Sequence, residues 1–180
     1  MKILAITSSP RPNSNSTCLL KAIIGAIPAG AGHSVTWLDV SSLRINPCTA
    51  CKRCFRDPDK KCVQDDDMES VNQAIASADY IFMASPIYWY YVSSQLKLLI
   101  DRSYPPPYER FRGKTLHLVT TGSAPLDSVQ HEVIQKSFGA ICESLGCEFR
   151  YFAAQANDRD FPAANNPAAL ERAAALGREI

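Results

Sequence analysis

The sequence predicts an α/β fold: a three-layer sandwich around a five-stranded parallel sheet, with the strands in spatial order 2-1-3-4-5. Three observations carry this reading. Short apolar segments alternate with segments of helical period five times along the chain, the arrangement that gives parallel strands joined by right-handed crossovers. The runs Lys2–Ile6 and Asp79–Ala84 are almost continuously apolar, as strands buried on both faces are, so the first and third strands belong in the middle. The segments Ser34–Val40 and Cys147–Ala153 mix polar and apolar residues and fit the two edges. A chain of 180 residues is long enough for one well-buried domain and short for two, so residues 1–180 are expected to form a single domain.

Each element has a local cause. From Thr17 onward Leu19, Leu20, Ile23, Ile24 and Ile27 lay one apolar stripe along a first helix, which ends at Pro28-Ala29-Gly30-Ala31-Gly32. Residues 44–64 have no period and hold a cysteine-rich loop. Asp66 and Glu69 stand at capping-box spacing before Met68, Val71 and Ile75, which predicts a helix to about Ser77. Val92, Leu96, Leu99 and Ile100 mark a helix from about Val92 to Arg102, stopped by Tyr104-Pro105-Pro106-Pro107. Thr115–Thr121 is the fourth strand. Val129, Val133, Ile134, Phe138, Ile141 and Leu145 mark a long helix with Gly146 as its C-cap. Asn166 and Pro167 suit the N-cap and first position of a last helix.

In a 2-1-3-4-5 sheet the strand order reverses between strands 1 and 3, and ligands bind there beyond the carboxyl ends of the strands. Three stretches reach that point. The first, SSPRPNSNST, precedes a helix whose free N–H groups and dipole favour an anion, with donors from Ser9, Ser14, Asn15, Ser16 and Thr17 and charge from Arg11. It has neither a GxxxxGK[ST] nor a GxGxxG pattern, so it suits one terminal phosphate monoester; the same composition also makes an ordinary turn and cap. The second, Ser85-Pro86-Ile87-Tyr88-Trp89-Tyr90-Tyr91, places four aromatics in a loop after a buried strand, where a flat ligand, or an interface, would use them. The third, Thr120-Thr121-Gly122-Ser123, lets backbone N–H groups approach a ligand at Gly122.

Composition excludes several classes. With 19 Lys+Arg against 18 Asp+Glu and no long basic run, nothing points to nucleic acid. No leader pattern and no apolar stretch of membrane-spanning length is visible, which predicts a cytoplasmic protein. Of seven cysteines, Cys48, Cys51, Cys54 and Cys62 crowd together, as metal or redox cysteines do in a reducing compartment. Cys18, Cys142 and Cys147 fall in periodic elements and read as small buried residues.

The motifs SxRxxSxS after strand 1, SPxYW followed by SxQLKxxIDR after strand 3, and TTGS after strand 4 resemble the NAD(P)H-dependent FMN reductases of the flavodoxin-like superfamily, over about Met1 to Gly122. The resemblance implies that Ser9, Arg11, Ser14, Asn15 and Ser16 hold the FMN phosphate. Pro86, Ile87, Tyr88 and Trp89 would line the isoalloxazine, and Thr121, Gly122 and Ser123 would face its pyrimidine side. It further implies NAD(P)H as co-substrate and a small electron acceptor such as a quinone or free flavin. The run CTACKRC, then seven residues, then a fourth cysteine resembles the iron-sulfur flavoprotein branch, in which such cysteines hold a four-iron four-sulfur cluster. From the residues alone three readings stay open for Cys48, Cys51, Cys54 and Cys62: a cluster, a structural zinc, or free thiols. A low-molecular-weight phosphatase is excluded, since no CxxxxxR occurs. An electron carrier between proteins is the alternative to a reductase. Exposed Tyr90, Tyr91 and Tyr108 predict a homodimer or homotetramer.

Overall fold

The computed structural model describes residues 1–29, 32–56, 62–103 and 108–180. The expected helix end at Gly30 and Ala31, the charged segment before Cys62, and the stop at Tyr104–Pro107 lie outside the described residues. Strand β1 (Lys2–Thr7) pairs in parallel with β2 (Ser34–Asp39) on one side and β3 (Tyr80–Tyr88) on the other. β3 pairs with β5 (Thr115–Gly122), and β5 with β6 (Glu148–Gln155), also in parallel. The order β2-β1-β3-β5-β6 is the predicted one, with the strands after the third renumbered by a short hairpin arm, β4 (Tyr91–Val92), that pairs antiparallel with the end of β3.

Alternation along the central strands sorts the core into two layers. Leu4, Ile6, Ile81 and Met83 face α3 (Met68–Ser77), α4 (Ser94–Ser103) and α5 (Val129–Leu145). Ile3, Ala5, Tyr80 and Phe82 face α1 (Asn15–Gly25) and α6 (Pro167–Arg178). Helix ends follow their chemistry: Gly146 takes φ 69° at the C-cap of α5, and the Asn166 side chain accepts the Ala169 N–H ahead of Pro167. Cys142 is buried, while Cys18 and Cys147 are only half-buried because each sits at the margin of its layer.

Three expectations are corrected. Ser85–Tyr88 is strand, not loop, because Ser85 and Pro86 continue the register with Thr120 and Thr121 and the chain then turns back at Trp89-Tyr90 into β4. The helix after it therefore begins at Ser94. Tyr91 and Tyr108 are half-buried, the Tyr91 hydroxyl meeting Ser137 Oγ at 2.7 Å, so only Tyr90 of the three is exposed. Asp66 and Glu69 do not form a capping box: Glu69 accepts from Gln73, and Asp66 is taken up by an ion pair from elsewhere in the chain.

That pair closes the cysteine loop. Arg102, in the last turn of α4, donates to Asp66 at 2.6 and 3.1 Å and to the Asn46 carbonyl at 2.8 Å, with the Arg102 and Asp66 side chains 3% and 1% exposed. Asp66 also accepts the N–H groups of Asn46 and Met68. Burial alone raises a carboxyl's pKa, but these donors outweigh it and hold Asp66 at about 2, against 3.8 for an ordinary aspartate. A depressed carboxyl contributes stability above its unfolded value and loses it as acid protonates the folded form. Stability should therefore fall between about pH 4 and about pH 2 by on the order of 2 kcal/mol through this group, and denaturant midpoints of the wild type against Asp66→Asn across that range measure it.

Candidate functional site

The carboxyl ends of β1, β3, β5 and β6 converge on a cleft of about 180 Å³. Buried serines fix its floor. Ser8 Oγ donates to the Ala84 carbonyl at 2.9 Å, Ser93 Oγ to the Ser8 carbonyl at 3.0 Å, and Ser85 Oγ accepts the Ser93 N–H at 2.9 Å. These hydroxyls lock the loop after β1 to the end of β3 and the start of α4, where an unpaired polar group would be costly.

On that floor Ser9, Arg11, Ser14 and Asn15 form one wall. Ser14 is the N-cap of α1, its Oγ accepting the Thr17 N–H at 3.3 Å and bonded to Ser16 Oγ at 3.0 Å. Ser16 is fully buried beneath it, so Ser16 and Thr17 hold Ser14 in place and do not line the cleft. Pro86, Ile87 and Tyr88 form the second wall, with the Arg11 guanidinium 5.7 Å from the Tyr88 ring centre. Thr121, Gly122 and Ser123 form the third. A Cβ on Gly122 would stand 3.3 Å from both Ile87 Cβ and Gln130 Nε2, so a side chain there would crowd the second wall. Trp89 lies outside the lining, 95% exposed at the tip of the hairpin, and both it (φ 46°) and Tyr90 (φ 70°) adopt left-handed backbone, uncommon for bulky residues.

The fourth wall, Ala156, Asn157 and Asp158 after β6, is absent from the sequence reading. Its signal was the Asn-Asp-Arg-Asp run. Asn157 Oδ1 accepts the N–H groups of Arg159 and Asp160, an Asx-type turn that aims Asp158 back into the cleft. There Arg11 pairs with Asp158 Oδ2, and Asn15 Nδ2 donates to Oδ1 at 2.8 Å. Two donors expected to hold a phosphate are thus engaged by a carboxylate of the chain itself. No His, Lys, Glu or Cys lines the cleft among the described residues, so the walls offer binding and orientation and no ordinary acid–base pair. His131 lies behind, its Nδ1 2.6 Å from the Tyr151 hydroxyl, which also meets Thr120 Oγ1 at 2.7 Å; burial pushes Tyr151 up to about 12 and His131 down, so both stay neutral.

The cysteine loop lies on the α4 side. Cys48, Cys51 and Cys62 are exposed and Cys54 is half-buried on the short helix α2 (Arg53–Arg56). Burial raises the Cys54 thiol, and the charges of Cys62, Cys51 and Cys48 raise it further, so the four sulfurs share one neighbourhood. The Gln64 N–H points at Cys62 Sγ (3.5 Å), and the Arg53 N–H lowers the Cys51 thiol. Ala50 and Lys52, beside these sulfurs, have φ of 53° and 58°. Four thiols in one loop, two of them with backbone N–H donors turned toward their sulfurs, are in their chemistry a donor set suited to an iron-sulfur cluster. Among the described residues no three such side chains are arranged as ligands of one metal ion.

Residues 1–142 match the family model described as NADPH-dependent FMN reductase. An iron-sulfur flavoprotein of Methanocaldococcus jannaschii is 37% identical over 105 residues, covering 58% of this chain and 53% of that protein. One of Archaeoglobus fulgidus is 26% identical over an alignment of 185 positions, covering 100% of this chain and 79% of that protein. The chain spans about half the length of several such curated relatives. In fold it is similar to an NAD(P)H:quinone oxidoreductase from Methanothermobacter marburgensis (TM-score 0.78, 16% identity, 99% and 95% of the two chains). It is likewise similar to an FMN-dependent NADH-azoreductase from Bacillus anthracis solved with FMN (TM-score 0.73, 14% identity, 98% of each chain).

Proposed function

The chain belongs to the NADPH-dependent FMN reductase family, and from that premise we propose that it is an FMN-dependent oxidoreductase that takes hydride from NAD(P)H and passes electrons to a small acceptor such as a quinone or free flavin. The observation that carries the reading is the convergence of Arg11 and Asn15 on the carboxylate of Asp158, an anion site at the switch point of the sheet. Bound FMN supplies the hydride chemistry. The chain's residues bind and orient: Ser9, Arg11, Ser14 and Asn15 take the phosphate, with Ser16 and Thr17 holding Ser14. Pro86, Ile87 and Tyr88 flank the ring, and backbone N–H groups of Thr121, Gly122 and Ser123 face its pyrimidine edge. Purified protein should carry a flavin absorption band, release FMN on heating, and oxidise NAD(P)H in the presence of a quinone. Failure to take up FMN would overturn the reading, and FMN uptake without NAD(P)H oxidation would favour an electron carrier.

Ser14→Ala removes both a phosphate donor and the α1 cap. FMN affinity should fall by about 1.5–3 kcal/mol, or roughly 10- to 150-fold, with a loss of about 1 kcal/mol in fold stability. Fluorescence titration and denaturation measure the two separately.

The exposed, left-handed Trp89-Tyr90 tip supports a homodimer or homotetramer meeting at that hairpin. Light scattering of the wild type and Trp89→Ala tests it. Seven free cysteines among the described residues support a reducing, cytoplasmic setting, and no described helix is long and apolar enough to cross a membrane. The shared neighbourhood of the four loop cysteines and the N–H groups on the Cys51 and Cys62 sulfurs favour a second reading, a cluster held by Cys48, Cys51, Cys54 and Cys62. Iron and sulfide assay after anaerobic reconstitution tests that.

A further inference from the structure

Arg102 makes one contact that the Asp66 pair does not require. Its second terminal nitrogen, 3.1 Å from Asp66 Oδ1, also lies 3.4 Å from Cys62 Sγ. Its first nitrogen reaches the Asn46 carbonyl, two residues before Cys48. One guanidinium, anchored in α4, thus grips the chain at both ends of the cysteine loop and touches the sulfur of its last cysteine from the inside. The planar fork of arginine makes this possible, since it can serve a carboxylate, a carbonyl and a sulfur at once, whereas a lysine ammonium has no fixed fork.

We propose that Arg102 is a positioning residue for an iron-sulfur cluster on the cysteine loop, holding Cys62 in its ligating place and raising the cluster's reduction potential. The proposal rests on the second reading given above. A cluster gains one negative charge when it takes up one electron. A cation and an N–H donor beside a ligand sulfur favour that more negative state, and here the guanidinium side of the contact is buried while Cys62 itself is exposed. The carboxylate of Asp66 balances the charge of Arg102 within the protein but donates nothing to the sulfur, so the N–H contact persists as a net bias toward the reduced form.

The test is a redox titration of the anaerobically reconstituted full chain, reduced with dithionite and followed by electron paramagnetic resonance, with iron counted per chain. Arg102→Lys keeps the charge and loses the fork. The pair Asp66→Asn with Arg102→Met removes both charges together and avoids a buried orphan carboxylate. Flavin uptake and melting temperature report whether each variant is folded. The expected result is a cluster in the wild type and a potential in the double variant lower by about tenfold in the reduction equilibrium, about 59 mV for one electron, with Arg102→Lys between the two. Loss of iron from the folded double variant, with iron kept in Arg102→Lys, also supports the positioning role. Equal iron and equal potentials in all three proteins overturn it while leaving the cluster reading intact. A wild type that binds flavin but no iron overturns the cluster reading and this inference with it.

Discussion

Arg102→Ala should cost about 3–5 kcal/mol of stability, as much as truncating a large core side chain. The magnitude follows from what remains. Asp66 keeps its place with a side chain 1% exposed, and its two backbone donors, the Asn46 and Met68 N–H groups, cannot neutralise a carboxylate. Either the charge stays buried without its partner, or the acid takes up a proton and forfeits the stabilisation that holds it near 2. The Asn46 carbonyl also loses its donor. Guanidinium denaturation at neutral pH measures the loss; a change below about 1 kcal/mol would mean that water reaches the pair and screens it, as at an exposed ion pair. The same substitution should flatten the acid response between pH 4 and pH 2, because the group responsible no longer has a depressed pKa.

Gly177→Ala should also destabilise the fold. Gly177 lies in α6 where that helix crosses α1, and a Cβ built on it would stand 2.0 Å from the Ile23 carbonyl oxygen and 3.0 Å from Ala26 Cβ. The first contact is with backbone, which cannot rotate away, so the helices must separate. Overpacking of this kind costs about 1–3 kcal/mol or more, and the better helix propensity of alanine, about 1 kcal/mol, offsets only part of it. For a chain of this size each net 1 kcal/mol lowers the melting temperature by roughly 2–4 °C, so a net loss of about 2 kcal/mol should lower it by roughly 4–8 °C. Gly139→Ala is the control: in α5 the added methyl meets only Phe149, at 3.9 Å, so propensity should dominate and stability should hold or rise. Similar losses in both variants would show that the close helix crossing is not the cause.

The framework was legible because its causes are local. Apolar runs, one-face periodicity, Gly146 and the Asn166-Pro167 start each depend on neighbours within a turn or a strand, and the sheet order followed from how apolar each strand is. What escaped depends on distant partners. Asp66 stands at correct capping-box spacing, but Arg102, 36 positions later, is a stronger partner than any N–H group at the helix start. The Trp89-Tyr90 turn escaped because a tight hairpin normally asks for glycine or asparagine at left-handed positions, and two aromatics there read as loop. Within the candidate site, the walls after β1, β3 and β5 were visible as motifs. The Asp158 wall was not, since its relevance comes from an edge strand whose carboxyl end faces Arg11 across almost the whole chain length.

The internal pairing of Arg11 with Asp158 sets the terms on which a ligand arrives. A cationic cradle facing solvent would draw a phosphate ester from a distance, and its capture rate would fall steeply as added salt shortened the reach of the field. Here the positive charge is cancelled at contact range before any ligand approaches, and the chain as a whole is nearly neutral. If FMN binds there as proposed, its encounter is left to unassisted diffusion and to the fit of the ring between the walls, with its phosphate exchanged for the carboxylate only after docking. Capture should therefore be slow and almost indifferent to ionic strength, and retention, once the exchange is made, should depend on how readily Asp158 can return.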